Sequence, residues 1–300
     1  MKLKVLLPAI VAAVILIAIV IVFVSRAPFG SKEGAMLNSA KTLEKEAKID
    51  EAIKEYERMI AEYPQSKRAG QAYISLAGLC EKQGKLVEAR DAYKKAFETY
   101  PDLDIVKNAK GKIEDLNIKI LFSPLVDSTS KIYEVQTGDS LAKIAKSFGT
   151  TVDLIRRSNN ITGDKIRQGM RLKVVTAKFS VVVDKSQNVL FLKENEDIIK
   201  AYKVSTGANN STPVGTFRVE NKLVDPVWYS TGAVVPAGSP ENILGTRWLG
   251  ISKPGYGIHG TTDPASLGKQ VTAGCVRMLN ADVEELYAIL PVGTEVTIMD

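Results

Sequence analysis

"KFSVVVDKSQNVLFLKENEDIIKAYKVSTG", Lys178–Gly207, decides the fold of the C-terminal part of this chain. Three runs rich in β-branched and aromatic residues, "KFSVVVD", "NVLFLKE" and "IIKAYKVSTG", are separated by turn-formers, and that pattern reads as successive strands. Carried through residues 178–300, it predicts a mainly-β domain, a sandwich or a barrel. One prominent helix interrupts it. Asn280 is placed to be its N-cap, Asp282 falls in the first turn, Val283, Leu286, Tyr287 and Leu290 share a face, and Pro291 ends it. The chain closes on a strand, "TEVTIM".

Working backwards, "IYEVQTGDSLAKIAKSFGTTVDLIRRSNNITGDKIRQGMRLKVV", residues 132–175, alternates its local signals. Tyr133 and Val135 open a strand, Gly138 turns it, and Asp139 or Ser140 can cap a helix whose apolar residues Leu141, Ile144, Ala145 and Phe148 fall at helical spacing. Gly149-Thr150-Thr151 breaks that helix. Val152, Leu154 and Ile155 start another, and Gly169 precedes a last strand through Leu172 and Val174. This βααβ order, with "YEVQTGDSLAKIA", the Asn159-Asn160 loop and "IRQGMRLKV", resembles the LysM domain. The resemblance implies binding to the N-acetylglucosamine-containing glycan of peptidoglycan, in a groove formed by Gly138, Asp139, Ser140 and Leu141 on one loop and Asn160 and Ile161 on the other. The same residues also serve as turns and caps.

A linker, residues 118–131, separates this domain from an all-α region that repeats itself. "IDEAIKEYERMIAEYP" from Ile49 returns as "LVEARDAYKKAFETYP" from Leu86, an offset of 37. Tyr56 matches Tyr93, and Tyr63-Pro64 matches Tyr100-Pro101, so each unit is a helix stopped by proline. Ala72, Ala77 and Gly78 between them permit close helix packing, and Gly84 makes a turn. Residues 36–117 resemble tetratricopeptide repeats, which implies a concave surface for a protein partner. A spacer that lifts the later domains is the alternative reading.

Val5–Val24 is an apolar run of 20 residues broken only by Pro8, the length a bilayer-spanning helix needs. Residues 1–26 are therefore expected to be an uncleaved transmembrane anchor, because a signal peptide has a shorter apolar core and a small-residue cleavage site, here absent before Arg26. Lys2 and Lys4 place the N-terminus in the cytoplasm of a bacterium and everything after Arg26 outside. Secretion after cleavage is the other possibility.

The formal charge of +6 suits an anionic partner such as a cell-wall polymer or phospholipid, and the chain offers no aromatic-basic platform for nucleic acid. Neither a phosphate loop nor a structural zinc site is present. "SLGKQ" lacks the first glycine and the following Ser or Thr, and one histidine with two cysteines 195 positions apart lacks clustered ligands. No metal or cofactor is expected.

The one histidine, His259, and one of the two cysteines, Cys275, both fall in "IHGTTDPASLGKQVTAGCVRM", Ile258–Met278. A thiol is only slightly ionised near neutrality, and a neighbouring imidazole that takes its proton leaves a thiolate able to attack a carbonyl carbon. Gly274 lets the backbone approach a substrate, amides around Gly274 and Cys275 can form an oxyanion hole, and Arg277 can hold an anionic group or brace the loop. A papain-like arrangement is excluded, because its histidine follows its cysteine and none follows Cys275.

"VSTGANNSTPVGTFRV" at 204–219, "GYGIHGT" at 255–261 and "TAGCVRM" at 272–278 together resemble the L,D-transpeptidase (YkuD-type) catalytic domain over residues 178–300. The family signature is filled by His259, Gly260, Thr272, Gly274, Cys275, Val276 and Arg277. Ala273 stands where many members carry histidine or arginine. The resemblance implies that Cys275 attacks the third, diamino-acid residue of a peptidoglycan stem tetrapeptide, that His259 acts as base and then acid, and that the Gly260 carbonyl orients the imidazole. A second stem's amine then completes a cross-link. The same site used by water would make an L,D-carboxypeptidase, and used by another amine it would attach a protein to the wall. A wall-binding scaffold with an inert last domain is the non-enzymatic alternative.

Overall fold

The computed structural model describes residues 31–230 and 232–300. The expected anchor, residues 1–26, lies outside the described residues, among which no helix is long and apolar enough to cross a membrane. The chain divides into two compact units, residues 31–84 with 92–109, and residues 85–91 with 110–300.

In the first unit the 37-residue repeat becomes a repeat of structure. Helices α1 (Lys32–Lys45), α2 (Ile49–Glu62), α3 (Lys67–Lys82) and α4 (Leu86–Thr99), whose residues 86–91 are counted with the second unit, include the two copies, α2 and α4, whose bounds keep the sequence offset. The contacts recur as well: Tyr56 donates to Glu44 at 3.1 Å, and Tyr93 donates to Glu81 at 3.4 Å. Burial raises the pKa of the Tyr93 hydroxyl, to about 12, which keeps it a donor. Ala52, Ala72 and Ala77 are buried between helices. The helices approach tightly at Gly70, where a Cβ would lie 2.5 Å from Leu103 and 2.9 Å from Tyr100, whereas one on Gly78 would make only an ordinary contact with the Tyr93 hydroxyl at 3.9 Å. A short helix, α5 (Asp104–Lys107), ends this unit.

Helix α6 (Ala109–Leu121) belongs to the second unit and crosses the expected boundary between repeats and linker at 117/118. Its Ile118 and Leu121 are buried in the large C-terminal core. Strand β1 (Ser130–Glu134) then pairs antiparallel with β2 (Arg171–Val175), bracketing α7 (Leu141–Phe148) and α8 (Val152–Ser158), the βααβ order. Ser140 accepts from the Lys143 amide as the N-cap of α7, whereas Asp139 accepts from the Gln136 amide and the Tyr133 hydroxyl and so closes the preceding turn. Gly149 ends α7 in the left-handed conformation, φ 64°.

The βααβ module is fastened to the rest of the unit from both sides. Thr151 donates its hydroxyl to the Ala288 carbonyl and accepts from the Leu154 amide, and Leu154 is buried in the C-terminal core. On the other side the buried Lys173 ammonium donates to the carbonyls of Ile120 and Ser123 at the end of α6. Burial pulls its pKa down to about 8, and those terminal carbonyls offset part of the cost.

The C-terminal domain forms one mixed eight-stranded sheet around a single core, and its edge strands do not pair, so it is not a closed barrel. Its strands are β3 (Phe179–Asp184), β4 (Val189–Glu194), β5 (Asp197–Lys203), β7 (Gly215–Val224), β10 (Arg247–Ile251), β11 (Gly257–His259), β13 (Val276–Arg277) and β14 (Glu295–Met299). Their spatial order is β13-β11-β10-β7-β14-β3-β4-β5, with β3/β14 and β11/β13 parallel. Period-two burial explains the strands: Val181 and Val183 of β3 and Leu190 and Leu192 of β4 face the core while their neighbours face outward. Two small pairs, β6 (Thr206–Gly207) with β12 (Gln270–Thr272) and β8 (Trp228–Ser230) with β9 (Ala233–Val235), flank it.

Helix α9 (Asn280–Ile289) packs Val283 and Leu286 into the core. Its N-cap is Leu279, and Asn280 is the first helical residue, so the expected cap is displaced by one position. The Asn280 side chain is engaged elsewhere, at the site.

Candidate active site

β11 delivers His259 and β13 delivers the turn before it, because the two strands run parallel with His259 opposite Arg277. A parallel pair needs a long crossover, and the 16-residue interval between His259 and Cys275 supplies it. The Met278 amide bonds the His259 carbonyl at 2.9 Å, locking that register. His259, Cys275, Thr272, Ala273 and Arg277 accordingly line one pocket of about 460 Å³.

His259 is 2 % exposed. Its Nδ1 sits 2.7 Å from the Gly260 carbonyl, an acceptor only, so Nδ1 carries the hydrogen and Nε2 keeps a free lone pair for a proton. Burial, reinforced by the positive charge of Arg277, holds the imidazole pKa down at about 4 despite the opposing pull of the Gly260 carbonyl. Burial likewise pushes the Cys275 thiol up, against the Gly257 amide and Arg277. Its Sγ donates to the Gly255 carbonyl at 3.6 Å. The resting pair is therefore neutral thiol and neutral imidazole.

The turn before Cys275 is built by Thr272 and Gly274. Thr272 Oγ1 donates to the Cys275 carbonyl at 2.6 Å and accepts from the Gly274 amide at 3.2 Å. That engagement takes the Gly274 N–H away from the expected oxyanion hole. Among the described residues the Cys275 amide donates to no other group, and it remains available to a developing oxyanion. Gly274 has φ 134°, and a Cβ there would lie 2.7 Å from the Tyr256 ring, so glycine is dictated by both strain and space. Arg277 is braced by Ser266 at 3.1 Å, and its backbone pairs with Ser205 in "VSTGANNSTPVGTFRV". Among the described residues it is the only charged side chain lining the pocket.

The comparisons with known proteins agree on the catalytic domain. A family model described as the L,D-transpeptidase catalytic domain, YkuD, matches residues 178–298, one for the LysM domain matches 133–175, and one for a tetratricopeptide repeat matches 34–66. The YkuD protein of Bacillus licheniformis, assigned as an L,D-transpeptidase, is 34% identical over 175 residues, covering 56% of this chain and 98% of that one. The chain belongs to the L,D-transpeptidase family. YqjB of Bacillus subtilis, with the same assignment, is 40% identical over 126 residues, 40% of this chain and 70% of that one. Among solved structures, an L,D-transpeptidase from Mycobacterium smegmatis superposes with a TM-score of 0.36 at 20% identity, covering 44% of this chain and 64% of that one.

Several residues of this pocket in the L,D-transpeptidase family member carry no sequence motif. Asn280 Oδ1 accepts from the amides of Thr261 at 3.0 Å and Thr246 at 3.2 Å, and a Cβ on Gly260 would sit 2.1 Å from that oxygen. Thus α9 clamps the loop that presents the Gly260 carbonyl. Leu223, Val227, Trp228, Tyr229, Leu244 and Trp248 form the apolar wall. The signal that could have found part of it is rarity, since both tryptophans of the chain line this pocket beside its one histidine.

The six residues expected to contact glycan lie in the βααβ module, outside this pocket. Gly138, Ser140 and Asn160 are exposed, and Asp139 and Ile161 are half-buried. Leu141 is 2 % exposed and belongs to the module's own core, so its backbone alone is offered to a ligand.

Proposed function

We propose that this chain is a peptidoglycan L,D-transpeptidase working through a cysteine thioester. The observation that carries the reading is the Nδ1–Gly260 hydrogen bond, which leaves Nε2 of His259 as a base in the same pocket as Cys275. In the proposed sequence Nε2 takes the thiol proton as Sγ bonds to the carbonyl carbon of the third, diamino-acid residue of a stem tetrapeptide. The oxyanion is met by the Cys275 amide. Collapse breaks the C–N bond, and the imidazolium protonates the departing D-alanine amine. The side-chain amine of a second stem then attacks the thioester, a new C–N bond forms, the C–S bond breaks, and the amine's proton returns to sulfur through His259. Gly260 orients the imidazole as a carboxylate does in other triads, Thr272 and Gly274 shape the turn, and Arg277 meets an anionic substrate group.

The domain assignments follow from this reading. Residues 132–175 grip glycan through the loops at Gly138–Leu141 and Asn160–Ile161, and residues 178–300 carry out acyl transfer. The helical repeats, 36–117, receive a protein partner, with residues 118–131 as the connection. Action is outside the cytoplasmic membrane, to which residues 5–24 hold the chain.

The test is incubation of the fragment from residue 27 with muropeptides, followed by mass spectrometry. Cross-linked dimers with D-alanine release support the reading; tripeptide without dimers reassigns the site to water as acceptor. Cys275→Ala is expected to abolish both products and keep glycan binding, and unchanged turnover in that variant would discard the mechanism.

A further inference from the structure

We infer that Trp248 is the positioning residue of His259, an indole plate anchored by Asn221 that sets the plane of the imidazole and keeps water from it. The inference rests on the role proposed for His259. Four observations carry it.

Trp248 of β10 and His259 of β11 are register partners, so both side chains leave the sheet on one face. Their rings lie nearly parallel, with centroids 5.9 Å apart and an interplanar angle of 19°. The indole is itself held, because its Nε1 donates to Asn221 Oδ1 at 3.0 Å. Finally, the sheet makes room for it: a Cβ on Gly257 would lie 2.7 Å from the indole ring, and one on Gly250 would lie 2.6 Å from the Asn221 amide and 2.8 Å from the indole nitrogen. Two strand glycines, each costing local stability, are thus explained by one plate and its anchor.

Hydrogen bonding to the Gly260 carbonyl, with the Leu244 backbone also close to the ring, restrains the imidazole at its nitrogens but does not cover its face. A parallel aromatic face covers it and sets the ring's plane. The charged and titratable groups around it are Cys275 and Arg277. Arg247 on the same strand turns toward Asp225 and Glu284, and Asp282 and Glu285 on α9 face Lys200. None of these takes over the indole's place.

The chain has a single histidine, so nuclear magnetic resonance of histidine-labelled protein reports this ring alone. The expected wild-type spectrum is one Nδ1–H tautomer at neutral pH, with shifts displaced by the indole ring current. Trp248→Leu is expected to mix the tautomers and to raise the titration midpoint by about one pH unit, since hydration favours the charged form. Trp248→Phe should restore part of both. On muropeptides, Trp248→Leu should lower kcat at least ten-fold with KM within two-fold. If Trp248→Leu does not fold, Asn221→Leu decides: it keeps the indole, removes its anchor and should move tautomer and midpoint in the same direction. An unmoved tautomer and midpoint, or a change in KM alone, makes the indole only a wall of the pocket and overturns the inference. The spectra need no substrate. Absence of all turnover with the expected spectra would therefore sink the proposed reaction and leave the role of Trp248 standing.

Discussion

The side-chain oxygen of Asn280 lies 3.0 Å from the amide of Thr261, and through that bond the first residue of α9 holds the loop on which the Gly260 carbonyl faces His259. An Asn280→Ala substitution leaves two loop amides without their acceptor. Each unmet buried donor costs about 1–3 kcal/mol. A fall in melting temperature and a kcat reduced about ten-fold are expected, with muropeptide KM little changed. A kcat equal to wild type would show that the loop holds its shape unaided.

Acid lability should trace to His259. Its folded pKa of about 4 lies below the ordinary value of 6.5, so the unfolded chain binds the proton first as pH falls. Stability from this group is complete above about pH 6.5 and is lost progressively down to about pH 4, by roughly 3 kcal/mol in all. Denaturant melts at a series of pH values, compared with His259→Gln, check this. The variant's curve should be flatter between those limits.

Alkylation of Cys275 should rise steadily with pH. Burial lifts the thiol above its usual pKa, so the thiolate fraction at neutrality is small and grows about ten-fold per unit. Iodoacetamide rates measured in a Cys80→Ala background provide the profile. A plateau across pH 5–8 would instead mean a preformed thiolate–imidazolium pair.

Gly274 should tolerate no side chain. With φ at 134° and the Tyr256 ring 2.7 Å from where a Cβ would stand, Gly274→Ala adds backbone strain of about 1–3 kcal/mol and displaces the turn carrying the sulfur. Loss of alkylation selectivity and of turnover is expected in a protein that still folds by circular dichroism.

Leu154 tests whether the βααβ module and the catalytic sheet melt together. It is 1 % exposed and sits in the catalytic core, while Thr151 bonds α9 at Ala288. Leu154→Ala is expected to cost about 2–5 kcal/mol. Calorimetry of the wild type should give one transition for residues 110–300, and the variant should lower it or split it in two.

Much of the architecture was legible locally. The 37-residue offset appears in the bounds of α2 and α4 and in the paired Tyr–Glu contacts, because packing within each repeat uses residues close in sequence. The βααβ order was readable for the same reason, from a cap at Ser140 and a left-handed stop at Gly149. The mainly-β character of the last domain was readable from period-two burial. A closed barrel was the wrong closure, since the edge strands β13 and β5 do not pair, and the parallel neighbours β3 and β14 come from opposite ends of the domain's sequence, a pairing no local signal specifies.

For the site, the sequence alone determined which residue types could do the chemistry, since a lone histidine, a cysteine and the glycines between them are rare and closely spaced. Tertiary structure alone decided that Asn280 serves a loop instead of capping its helix and that Trp248 faces His259. Each of these is a contact between strands or between a helix and a loop. Hydrogen-bond partners and burial are set by the folded neighbours, which bring together groups whose spacing along the chain says nothing about their meeting.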